Sequence, residues 1–125
     1  MELETIYGQV VSKANSYMAV PDSAGGRRII KNDSIRTYER NFSDQCRIYR
    51  DRKISRPFRL HIIVYESKAA YDLDNCLKTI LDCLQYAGAI KDDNLCVGIN
   101  ATKKIDRKNP RIVYGIEETE PRLFG

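Results

Sequence analysis

From Pro57 onward the apolar residues change their period, and that change constrains the fold more than any other feature of the chain. Residues 58–65 (Phe-Arg-Leu-His-Ile-Ile-Val-Tyr) read as a strand opened by the helix-breaking proline. Leu73, Leu77, Ile80, Leu81 and Leu84 then recur at helical spacing and form one apolar stripe, with Gly88 standing where a helix end needs a residue able to take positive φ. Residues 95–104 and 111–117 read as two further strands, joined by a hairpin region over residues 106–110.

The first half is patterned less strongly. Residues 4–13 are β-rich, with Ile6, Val10 and Val11 suggesting a strand. Residues 21–26 (PDSAGG) read as a loop and 27–31 as a short strand. Asp33 or Ser34 offers an N-cap to a helix reaching about Arg52, in which Ile35, Tyr38, Phe42, Cys46 and Tyr49 recur every three or four residues. The expected order is β-(β)-α-β-α-β-β. It predicts an α/β (α+β) fold, a single compact domain over residues 1–125 with a mixed β-sheet and two main helices packed on it.

Composition narrows the class. Apolar residues make up 42% of the chain and charged ones 30%, a soluble balance, and no apolar run approaches the roughly 18 residues of a spanning helix. Met1-Glu2-Leu3-Glu4 lacks the basic and apolar regions of a secretory signal, so the expected location is the cytoplasm and no membrane partner is expected. Cys46, Cys76, Cys83 and Cys96 form no C-x-x-C pair and no cluster with the single histidine, which argues for reduced thiols and against a zinc site or a disulfide framework. His61 lies inside the 58–65 run, where sheet packing explains it better than catalysis.

The net charge of +4 proves little by itself, but its distribution is uneven. Arg47, Arg50, Arg52, Lys53, Arg56 and Arg59 cluster around one acid, Asp51. Lys103, Lys104, Arg107, Lys108 and Arg111 cluster around another, Asp106, and Arg27, Arg28 and Lys31 form a third group. Solvated faces explain such groups singly; three of them beside a separate acidic cluster fit a polyanion.

The acidic cluster lies in residues 71–94, YDLDNCLKTILDCLQYAGAIKDDN. Two residues apart on a helix, Asp72 and Asp74 would point away from each other; on an extended backbone they would share a side, and the approach to a helix beginning near Asn75 offers such a backbone. Clustered carboxylate oxygens suit a hard cation, and Lys78, one turn inside the helix, suits a phosphate. Each residue also has an ordinary reading: Asp74 as a helix cap, Lys78 as a salt-bridge partner, Asp92 and Asp93 as turn residues.

Together these residues carry more. The run D-L-D-N-x-x-K-x-x-x-D followed by a leucine, a glycine and an acid pair resembles the signature of the RusA family of Holliday-junction resolvases. Here Asp72, Leu73, Asp74, Asn75, Lys78, Asp82, Leu84, Gly88, Asp92 and Asp93 carry it. The element order is similar more weakly across nearly the whole chain, including Asn15-Ser16-Tyr17 after the first strand. The opening differs, because Lys13-Ala14-Asn15 stands where many members are proline-rich.

The resemblance implies a homodimeric, Mg²⁺-dependent endodeoxyribonuclease that cuts branched DNA, a four-way junction above all, in recombination and repair. It places metal binding and catalysis on Asp72, Asp74 and Asp93, catalytic assistance on Lys78, and supporting positions on Asp92, Asp82 and Asn75. The expected DNA contacts, to phosphates and not bases, are Lys13, Arg27, Arg28, Lys31, Lys53, Lys103 and Lys104. The rival readings are a DNA-structure-binding protein of the same fold that does not cut, and an adaptor whose acids are only caps and turns.

One geometric tension accompanies this expectation. A helix over residues 75–87 is about 20 Å long, and residues 88–92 fully extended span at most about 17 Å. Asp93 therefore reaches Asp72 and Asp74 through a sharp return of the loop at Gly88, the route expected here, or across the dimer.

Overall fold

The computed structural model describes residues 1–12, 17–21, 23–31, 33–70 and 72–120, with backbone alone for 17–20 and 28–31. In chain order the elements are β1 (Glu4–Tyr7), β2 (Tyr17–Pro21), β3 (Arg27–Lys31), α1 (Asp33–Gln45), β4 (Phe58–Glu66), α2 (Leu73–Tyr86), a single 3₁₀ turn (Asp93–Leu95), β5 (Cys96–Ile105) and β6 (Arg111–Glu118). Four strands form one mixed sheet in the order β1-β6-β4-β5, while β2 and β3 pair only with each other. The fold is the expected α+β domain with two helices.

β4 is central because its alternation is the cleanest in the chain. Phe58, Leu60, Ile62, Val64 and Glu66 are all buried, and the residues between them are partly or fully exposed. Both helices cover that buried side. α1 contributes Ile35, Tyr38 and Phe42, and α2 contributes Cys76, Thr79, Ile80, Cys83 and Leu84. Of these, Tyr38, Phe42, Cys76, Ile80, Cys83 and Leu84 join Ile112, Tyr114 and Ile116 of β6 in one core, where Tyr114 lies between the rings of Phe42 and Tyr49 at 5.9 and 5.5 Å. Among the described residues no helix covers the other face of the sheet.

β4 and β5 run parallel and α2 is the crossover between them, so α2 runs opposite to both. Its N-terminus consequently lies at the end of the sheet where β4 and β5 finish, and its C-terminus where they begin. This single topological fact positions every candidate residue below.

Several expectations need correcting. The segment at 106–110 is not a hairpin: β6 passes over to the far side of β4 and pairs with β4 and β1, leaving β5 at the sheet edge. The first strand stops at Tyr7, because Gly8 takes φ +116° and turns the chain away. α1 stops at Gln45 and not near Arg52. The buried carboxylate of Glu4 accepts the backbone N–H groups of Arg47 and Ile48 at 2.9 and 2.6 Å, removing two donors that a continuing helix would use. Tyr49 still reaches the core, but from a turn. β2 was not expected; Pro21 ends it instead of opening a loop.

At the far end of α2, Gly88 takes φ +75°, as its place after the apolar stripe predicts. A side chain there would also meet Asp51 Oδ1 at 2.7 Å. The close approach lets residues 51–54 run against 87–91, with Lys53 N–H on the Gly88 carbonyl at 2.8 Å and Ile54 N–H on the Ala89 carbonyl at 3.0 Å.

Candidate functional site

Asp72 is the N-cap of α2, in extended backbone at φ −85° and ψ 118°. Its Oδ1 accepts the Asp74 N–H at 3.0 Å and its Oδ2 accepts the Asn75 side-chain amide at 3.2 Å. Those donors would otherwise be unpaired at the start of the helix, and the helix dipole favours the acids there. The helix thus begins earlier than the sequence suggested. Asp74 sits in its first turn, not on an extended approach, so the two carboxylates are gathered by the helix N-terminus and not by a shared strand face. The capping role falls to Asp72 and not Asp74.

Asp93 is somewhere else. It opens the 3₁₀ turn after α2, with Asp92 as that turn's cap through Oδ1 on Asn94 N–H at 2.9 Å. The Asp93 N–H reaches Gln85 Oε1, in the last turn of α2, at 3.3 Å. A side-chain hydrogen bond that protonated Asp93 donates to Asp92 raises the Asp93 pKa above its ordinary value, aided by desolvation and by the like charges of Asp92 and Asp82. Asp82, Asp92 and Asp93 therefore form an acidic group at the C-terminal end of α2.

Two thiols report the same separation. The Cys76 thiol is pushed up by burial first, then by Glu66 and Asp72; the Cys96 thiol is pushed up by burial and by Asp93. From Asp72 to Gln85 the helix rises about 19 Å. The loop at Gly88 reverses the chain but does not carry Asp93 back along the helix, so the expected within-chain return is not what the fold does. Lys78 stands exposed between the ends, one turn after Asp74 and one before Asp82.

The donor chemistry suits a hard cation, since both ends offer carboxylate oxygens. Yet among the described residues no three Asp, Glu, His or Cys side chains are grouped closely enough to hold a metal ion.

The basic residues divide similarly. Lys103 turns to the helix side of β5 and donates to the Ala69 carbonyl at 3.0 Å, beside the Asp72 end. Lys104 alternates to the open face, where its ammonium lies 6.0 Å from the Tyr65 ring and Arg111 stacks on the same ring at 3.8 Å. Lys53 is exposed near the other end of α2, held at φ 48°. Arg27 is exposed on β3, and Arg28 and Lys31 lie on the same strand; their side chains, like all of Lys13, lie outside the described residues. His61 faces the open side and pairs with Glu117 at 3.0 Å, away from the acids.

A model of the family described as Endodeoxyribonuclease RusA matches residues 8–117. The chain belongs to the RusA family. A crossover junction endodeoxyribonuclease RusA from Aquifex aeolicus (strain VF5) is 32% identical to it over 54 residues. That similarity spans 43% of this chain and 43% of the relative, so it covers less than half the length of the curated protein it matches. The RusA signature read from the sequence falls on α2 and both of its ends, which is where the acids are.

Sequence reasoning missed Glu66 and Gln85. Gln85 carried no signal, because an exposed glutamine late in a helix is unremarkable. Glu66 did carry one: it occupies the inward phase of β4 after Phe58, Leu60, Ile62 and Val64, where an acid is out of place.

Proposed function

We propose that this chain is a Mg²⁺-dependent endodeoxyribonuclease that cuts branched DNA, four-way junctions in particular, as a homodimer. Each cation would be held by Asp72 and Asp74 of one subunit with Asp93 of the partner subunit. The observation that carries this reading is the placement of the family's acidic signature at opposite ends of one helix.

The sheet edge supports it. Among the described residues β5 is long, pairs on one side only, and leaves Val97, Ile99 and Ile105 exposed. An unpaired edge of this kind is a template for another strand. A two-fold axis near Asn100 and Ala101, the middle of β5, would pair the edge antiparallel with its copy. That operation lays the start of one β5 beside the end of the other. It brings Asp93 toward the partner's Asp72, and the acidic group of one subunit toward Lys103, Lys104, Arg107 and Lys108 of its partner.

A divalent cation bound there supplies an activated water and offsets charge on the scissile phosphate. The chain's own residues do the rest. Asn75 and the backbone N–H of Asp74 hold the Asp72 carboxylate in place, and Lys78 neutralises charge on the phosphate from the exposed side of α2. Lys53, Lys103 and the β3 basic residues hold DNA backbones without reading bases. A two-fold enzyme matches the two strands a junction presents for cutting.

Mixing inactive Asp72→Asn and Asp93→Asn subunits tests the arrangement. With shared sites, both lesions of a mixed dimer fall in one site and the other is intact, so nicking of one strand returns. A mixture that stays inactive overturns the shared site. Wild-type protein that binds a synthetic junction but never cuts it with Mg²⁺ present overturns the nuclease reading.

A further inference from the structure

Among the described residues two glutamates are buried, and the fold treats them differently. Glu4 is fully answered: Oε2 accepts two backbone N–H groups and Oε1 accepts the Tyr114 hydroxyl at 2.7 Å. Glu66 is 0% exposed, yet its Oε1 accepts only the Cys76 thiol, at 2.8 Å, and its Oε2 has no partner. A thiol is a weak donor, so this carboxylate is left short of hydrogen bonds in a place where water does not reach it. A merely structural acid is expected to look like Glu4.

Its location gives the deficit a direction. Glu66 ends β4, and its carbonyl accepts the Asp106 N–H at 2.9 Å, which ties it to the end of β5. Cys76 lies in the first turn of α2, with its N–H on the Asp72 carbonyl at 3.2 Å. Glu66, Cys76 and Asp72 thus form a short physical chain running from the buried sheet to the capping aspartate. Partners that orient a ligand from behind commonly tune a metal site as strongly as some ligands do.

We propose that Glu66 is a positioning residue of the cation site: through the Cys76 thiol it fixes the first turn of α2, which presents Asp72 and Asp74. This rests on the cation reading above. It adds that the strength of metal binding is set from inside the sheet by a residue that touches neither metal nor DNA.

The test uses full-length protein without DNA and follows free Mn²⁺ by electron paramagnetic resonance, with thermal melting and metal-free junction binding measured in parallel. Glu66→Met removes the acceptor at similar volume and should weaken Mn²⁺ binding by about tenfold while junction binding without metal stays the same; Glu66→Gln keeps an acceptor for the thiol and should stay within about twofold of wild type. Cys76→Ser keeps a donor and should hold Mn²⁺ within about twofold of wild type, whereas Cys76→Ala should follow Glu66→Met. Should Glu66→Met fail to fold, the Cys76 pair decides alone. Unchanged Mn²⁺ affinity in Glu66→Met, or equal affinities in the two Cys76 variants, overturns the proposal. An Asp72→Asn control separates the two readings: loss there with none in Glu66→Met removes only the positioning role. Wild-type protein that binds no Mn²⁺ removes the cation reading, and this one with it.

Discussion

Asp72 caps α2 and, on the reading proposed above, would also hold the cation, two jobs that different substitutions pull apart. As the N-cap it needs only a side-chain oxygen, which asparagine supplies as well as aspartate; as a cation ligand it would need the charge. Asp72→Asn should therefore melt within a degree or two of wild type while junction cleavage falls more than about a hundredfold. Asp72→Ala should lose the cap as well, about 1 kcal/mol of stability. Calorimetry beside a cleavage assay reads both. Near-normal cleavage by Asp72→Asn would remove Asp72 from the site.

α2 is the most legible element, and only its start differs from the sequence reading. Its apolar stripe and the glycine after it placed its body correctly, because burial against a sheet demands that periodicity. Its start was set two residues late, because Asp72 and Asp74 are equally good caps by composition and only the backbone decides between them. The long reading of α1 failed for a related reason: Glu4, more than forty residues away in sequence, takes the Arg47 and Ile48 amides, and no local pattern shows that. The far end of α2 carries a pH signature. Because the Asp93 pKa is raised in the folded state, folding favours its protonated form. Its contribution to stability is thus fully present at low pH and is lost as pH rises from the unfolded carboxylate value through the raised one. Asp82→Asn removes one of the like charges and should lower the Asp93 pKa, measured by carboxyl NMR titration. An unmoved Asp93 would mean that Asp82 does not act on it.

At the scale of the whole molecule, the alternation of β5 separates two lysines that the sequence had grouped. Lys103 lies on the α2 side near Asp72, and Lys104 on the open face over Tyr65. On the nuclease reading, a DNA backbone at the Asp72 end of α2 would meet the first and not the second. Lys103→Ala should then reduce the slope of log K against log salt by about 0.9, the value for one phosphate contact, while Lys104→Ala leaves it unchanged. Equal reductions in both would place DNA across the edge of the sheet. That the candidate residues were nameable from sequence while their grouping was not follows from the parallel crossover: composition names acids and bases, but only strand direction says which end of a helix they share.

The strand order has a consequence for how the sheet is completed. Among the described residues β1 pairs only with β6, more than a hundred residues later in sequence, and β6 must enter between β1 and β4. A nascent chain stopped after Asp106 would hold β4 and β5 as a parallel pair, with β1 unpartnered and Tyr114 missing from between Phe42 and Tyr49. Sheet completion therefore waits on pairing across a long sequence separation and is slow for that reason. Limited proteolysis of such a truncated chain should cut within β1 faster than in the untruncated chain; equal rates in both would mean that β1 finds its place without β6.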